Sequence, residues 1–167
     1  IGGGLQPVQE WCSHLVGALG NAAQADAALY ERRAALAREL RSIFDVDPVG
    51  DLRLTLMEAD SLARLDRMEE AERLFVVAAG RFPRSVAARV ALGDCHWKYR
   101  GSAKDHAAAE AAYRRALDEP GLDGPAFAHS RLAELYREMG RPADAERHER
   151  CLPKAADAEL PPNVRRD

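Results

Sequence analysis

Asp66-Arg67-Met68-Glu69-Glu70-Ala71-Glu72-Arg73-Leu74-Phe75-Val76-Val77-Ala78-Ala79-Gly80-Arg81-Phe82-Pro83 is the stretch that decides the fold. Ala71, Phe75 and Ala78 follow one another at spacings of four and three, and Pro83 comes five residues later. Spacings of four and three put these side chains on one face of an α-helix. Proline then prevents the helix from continuing. At the other end, Asp66 and Glu69 stand three apart, as a capping box requires. The pattern predicts a helix over 68–81.

The same spacing returns along the chain. Ala109, Tyr113 and Ala116 repeat the four and three, with Pro120 one residue early. Leu36, Leu40, Ile43 and Pro48 repeat all three spacings with bulkier residues. The leading positions 36, 71, 109 and 145 lie 35, 38 and 36 residues apart, and the long step holds extra residues around Tyr99–Asp105. A second pattern precedes each of these helices. Ala59 and Leu62 stand twelve and nine residues before Ala71, and Ala133 and Tyr136 stand at the same distances before Ala145. Leu92, Gly93 and His96 fill the matching places ahead of the extra residues. Helices therefore come in pairs, and the pairs repeat.

Turn signals separate the helices: Gly20-Asn21, Asp47 through Gly50, Asp66-Arg67, Phe82-Pro83-Arg84, Arg100-Gly101-Ser102, Glu119 through Pro125, and Gly140-Arg141-Pro142. They predict eight helices, at 7–19, 23–44, 51–65, 68–81, 85–99, 103–119, 125–139 and 142–156. Composition agrees. Ala, Leu, Arg and Glu, all good helix formers, dominate, while the chain has a single threonine, Thr55. With 47% apolar and 31% charged residues of both signs, the 167-residue chain has the balance of one globular domain, not of a disordered one. A net charge of -3 gives no electrostatic reason to expect nucleic acid or an anionic membrane as partner. No apolar run is long enough to span a bilayer.

A small residue at the eighth place, a large apolar one at the eleventh, then Ala, aromatic, Ala and Pro at the twentieth, twenty-fourth, twenty-seventh and thirty-second resembles the tetratricopeptide repeat (TPR). The resemblance covers residues 51–150 and extends as a degenerate repeat over 23–50. It implies an all-α, right-handed superhelical stack of antiparallel helical hairpins. The domain would run from 7 to 156, as a degenerate repeat 7–50 and repeats 51–84, 85–124 and 125–156. Val8, Trp11, Leu15 and Leu19 would complete the N-terminal cap, and Glu149, standing where an aromatic is usual, would suit a polar terminal cap. Residues 1–6 read as a flexible end or an expression scar, and 157–167 as an extended tail. A fainter resemblance, carried by Val90 through Trp97, the insertion, and Glu119 through Leu122, is to bacterial repeat proteins that accompany a SEC-C zinc motif; that motif is absent from the sequence.

In such repeats the first helices line a concave face. Carried over by position, the resemblance implies a partner-binding groove of Arg53, Asp60 and Arg64, then Asp94, Trp97 and Lys98, then Phe127, Glu134 and Arg137. The ninth place is acidic in all three repeats (Asp60, Asp94, Glu134), and Trp97 and Phe127 are aromatics of the kind that anchor interfaces. The expected ligand is a peptide or helix of a partner protein, with basic and apolar side chains.

Motifs for other chemistry are missing. There is no phosphate-cradling glycine loop, no His-Glu-x-x-His and no nucleophile elbow. Cys12/His14, Cys95/His96 and His148/Cys151 are the candidate ligand pairs, and packing explains them better than metal does. No catalytic residue, cofactor or metal is expected. The three scattered cysteines form no disulfide framework and suit a reducing cytoplasm; a bacterial source is what the fainter resemblance implies. The expectation is a non-enzymatic interaction scaffold. The alternatives are a self-associating module or an accessory domain of a larger, zinc-containing protein.

Overall fold

The computed structural model describes residues 6–23 and 26–153, with side chains from residue 14. The end at 1–5, the tail at 157–167 and the side chains of Val8, Trp11 and Cys12 lie outside the described residues. Among the described residues there are eight α-helices: α1 (Gln6–Ala22), α2 (Ala28–Ile43), α3 (Pro48–Arg64), α4 (Met68–Arg81), α5 (Val86–Trp97), α6 (His106–Leu117), α7 (Ala126–Glu138) and α8 (Pro142–Glu149). A single 3-10 turn, Gly101–Ala103, lies in the insertion between α5 and α6. The all-helical expectation holds, and α4 matches its predicted bounds.

Each helix packs on its chain neighbours, and short turns make those neighbours antiparallel. Ion pairs show the direction: Arg33, Arg38 and Arg41 on α2 meet Asp60, Glu58 and Asp51 on α3 in reverse order. Beyond these neighbours, α1 touches α3, α3 touches α5 and α5 touches α7. Among the described residues no two even-numbered helices come as close. The odd helices therefore form one layer and the even helices stand behind it.

Small residues set the contact between partner helices. Ala59 and Ala71 are both 0% exposed, as are Ala109 and Ala116. Gly93 on α5 is the tightest point: a Cβ there would lie 2.2 Å from the Tyr113 ring of α6. Large side chains fill the remaining space, and Phe75, Tyr113 and Tyr136 are the largest buried ones. Each such side chain contributes about 1.5–3 kcal/mol by leaving water.

Helix ends follow their local chemistry, and several differ from the predicted boundaries; α2 begins at Ala28 rather than 23, and α8 ends at Glu149 rather than 156. Asp47 caps α3 by accepting from the Gly50 N–H at 2.8 Å, with Pro48 in the first turn, so Asp47 through Gly50 open a helix where a turn was predicted. Asp66 forms no capping box. It takes a left-handed φ of 61° in the α3–α4 turn, and no side chain caps the start of α4. Gly20 lies inside α1, where a Cβ would come within 2.9 Å of Arg33 Nε, so its absence leaves room for the guanidinium. At one edge, the Asp123 N–H donates to the Arg84 carbonyl at 2.8 Å, and an isolated bridge pairs Ser85 with Asp123. The loops before α5 and before α7 are thereby joined.

Replacing Gly93 with alanine should destabilise the chain by about 1–3 kcal/mol, because the buried Tyr113 ring has nowhere to move. Replacing Gly80, where a Cβ meets nothing within 4 Å, should leave stability unchanged or raise it by about 0.5–1 kcal/mol. Urea denaturation of the two variants checks both.

Candidate functional site

The odd-helix layer brings side by side α3, α5 and α7, the helices that carry or adjoin the residues expected at the groove. Their environments differ from the expectation. Asp60 sits near the C-terminal end of α3 and accepts from Arg33 Nη1 of α2 at 2.5 Å and from the Tyr99 hydroxyl at 2.7 Å. Arg33 is nearly buried and also donates to the Val16 carbonyl of α1 at 3.2 Å and to Ser61 Oγ at 3.1 Å. One guanidinium thus ties three helices together, and Asp60 extends the tie to the end of α5.

Asp94 repeats this arrangement one hairpin later. It accepts from the Tyr113 hydroxyl of α6 at 2.5 Å and lies 3.1 Å from Arg131 Nε of α7. Burial pushes the Asp94 carboxyl above its ordinary value, against the pull of Tyr113 and Arg131. Burial, then the Asp94 charge, pushes the Tyr113 phenol up strongly. Glu134 meets Lys98 Nζ at 2.6 Å and Arg131 at 3.2 Å. Burial works against its ionised form, yet Lys98 and Arg131 hold it below its ordinary value. The three acids at the ninth place are therefore satisfied within the chain and do not stand as free anions.

Trp97 is corrected more sharply. It is 5% exposed and packs in the core with Val90, Tyr113 and Leu135. Only its cover faces outward: Lys98 Nζ lies 4.7 Å above the ring centroid. The insertion closes over this corner, because Glu138 accepts from Lys104 Nζ at 2.7 Å and meets His106 Nε2 at 3.0 Å. Lys104, then the Trp97 N–H, holds the Glu138 carboxyl down at about 2. Its folded value is depressed, so this contribution to stability is complete above the ordinary carboxylate range and is lost as pH falls towards 2.

What the layer presents to solvent is mixed. Phe127 is 41% exposed, with the Arg131 guanidinium 4.9 Å over its ring. Arg64 projects beyond Asp60, Arg137 pairs with Glu149 of α8, and Arg53 is exposed with no hydrogen bond or ion pair among the described residues. Arg33, Tyr99 and Tyr113 were not foreseen as parts of this network. Arg131 had a usable signal, since it stands three residues before Glu134 on one helix face.

The cysteine and histidine pairs are placed as follows. Cys95 is buried, and burial raises its thiol to about 11, which keeps it protonated and unreactive. Cys151 is exposed, and its Sγ–H donates to the Arg147 carbonyl. His148 turns to His129 of α7. Among the described residues no three His, Cys, Asp or Glu side chains converge to hold a metal ion, and no helix is long and apolar enough to cross a membrane. Comparison with protein-family models, with curated proteins and with solved structures found no match.

Asp60→Ala should cost about 3 kcal/mol, because it strands the nearly buried Arg33 charge. Arg53→Ala, at an exposed and unpaired position, should stay within about 0.5 kcal/mol of the parent. Thermal melts of both variants test whether Asp60 is structural.

Proposed function

We propose that the chain is a tetratricopeptide-type interaction module, a right-handed stack whose odd-helix face holds a peptide or helix from a partner protein. The observation that carries this reading is the contact of α1 with α3, α3 with α5 and α5 with α7, which leaves the odd helices as one continuous surface. An arrangement of this kind offers binding positions from successive repeats to one extended ligand. The free cysteines Cys95 and Cys151 fit a reducing, cytoplasmic setting.

The accessible anchors are Arg53, Arg64, Lys98, Phe127 and Arg137. Asp60, Asp94 and Glu134 already carry cations from the chain itself. A basic ligand would have to displace those cations. The apolar contact at Phe127 therefore contributes more than a free acidic groove. Self-association through the last helix has less support, because Glu146, Arg147 and Arg150 of the final hairpin are exposed and charged.

Arg53→Glu/Arg64→Glu/Phe127→Ala should keep the helical circular dichroism signal and lose a partner that the parent chain captures from its source cell. Binding should weaken at least about tenfold if Phe127 is a hot spot. Retention of the same partner at unchanged affinity by the folded variant would sink the odd-face reading. Assembly of the parent into dimers without any other partner would favour self-association.

A further inference from the structure

The facing imidazoles of His129 and His148 lie outside the odd-face network. They occupy the final hairpin, where α8 is an eight-residue helix packed on α7. Beyond its chain neighbour α7, α8 has no comparably close helix among the described residues, and Ala145 is its one buried residue. Apolar burial therefore contributes little to keeping it in place. The polar ties at this end are the Arg141 N–H bond to the Tyr136 carbonyl, the Arg141 guanidinium over the Tyr136 ring and on Glu110, the Arg137–Glu149 pair, and the histidines. Nδ1 of His129 lies 2.8 Å from Nδ1 of His148, and the His148 ring rests on Tyr136 with centroids 5.6 Å apart.

We propose that this histidine pair is an acid-sensitive latch that holds α8 on α7. Proton accounting defines how it works. In the neutral pair one ring donates its Nδ1–H and the other accepts with its Nδ1 lone pair. A first added proton goes to the outer Nε2 of the donor ring, and the contact survives as a charge-assisted hydrogen bond. A second proton has only the accepting Nδ1 to occupy. Two N–H groups and two positive charges then face each other across the contact, and the latch opens.

The surroundings oppose the second proton. From α6, Arg114 acts on His148 and Glu110 pairs with Arg141; from α8, Arg147 repels a charged His148 while Asp144 favours it; from α7 come Tyr136 and Arg137. Burial lowers His129 below the ordinary histidine value, and burial, then His129, Arg114 and Arg147, lowers His148. The folded values lie below the unfolded ones. Stability is therefore complete above the ordinary histidine range and falls as pH drops through it. Because α7 carries Phe127, Glu134 and Arg137, opening the latch removes the support behind the last section of the proposed binding face.

The test follows both imidazole rings by NMR in the whole chain from about pH 8 to about pH 4, together with amide exchange in α3, α7 and α8. Two separated titration steps are expected, as for coupled sites. The lower step should coincide with at least about tenfold faster exchange in α8 while α3 stays protected. In His129→Gln that acid step should disappear. Unchanged α8 protection when both rings are charged would overturn the latch, as would simultaneous loss of protection in every helix. Loss at the same pH in His129→Gln would also overturn it. If the variant is already open near neutral pH, the contact is confirmed as holding α8, and the coincidence of ring titration and exchange in the parent decides acid sensitivity.

Discussion

The two helices of a hairpin can approach only as closely as the side chains between them allow. Here those side chains are alanine and, at the tightest point, the hydrogen of Gly93. The Tyr113 ring occupies the space a Cβ would take, and its hydroxyl reaches Asp94 one residue beyond that glycine. Close approach and polar satisfaction therefore depend on each other. Without the gap at Gly93 the ring could not enter, and without Asp94 the phenol would be a buried donor with no partner, which is costly. The apolar packing of the last two hairpins gathers around this same ring.

The ionic network that crosses the layers does a different job from the apolar core. Pairs such as Arg33–Asp60 and Arg131–Asp94 gain little net energy over apolar substitutes, because both ions must leave water. Their value lies in placement. Arg33 can satisfy Val16, Asp60 and Ser61 together only when α1, α2 and α3 stand in one arrangement. Arg131 likewise fixes α7 against α5 through Asp94 while holding Glu134 on its own helix. A shift by one turn in any of these helices would strand a charge.

The periodicity of alanine, aromatic and proline made the helices and their pairing legible, because each repeat must solve the same contact problem with the same residue sizes. Positions whose meaning depends on a neighbour distant in sequence were not legible. Trp97 matches an exposed groove position by count, yet the insertion at Tyr99–Asp105 covers it through Lys104, His106 and Glu138. The acids at the ninth place looked like a ligand-binding signature, since each has a cation from outside its own helix: Arg33 for Asp60, Arg131 for Asp94 and Lys98 for Glu134. Arg33 was hidden because a charged residue on an alanine-rich helix resembles a solvated one until Gly20 opposite is seen to make room for it. Asp66 has the composition of a cap, but the tight turn puts it in a left-handed backbone conformation.

The bond from the Asp123 amide to the Arg84 carbonyl joins two successive loops at one edge of the array by backbone alone. At the opposite ends of these helices the corresponding fastening is made by side chains, the Lys104–Glu138 ion pair and the His106–Glu138 contact. The two edges therefore differ mechanically. One keeps its stiffness in salt, whereas exposed charge pairs weaken as salt screens them. Ionic strength therefore acts on the charged edge and leaves the backbone edge as it is.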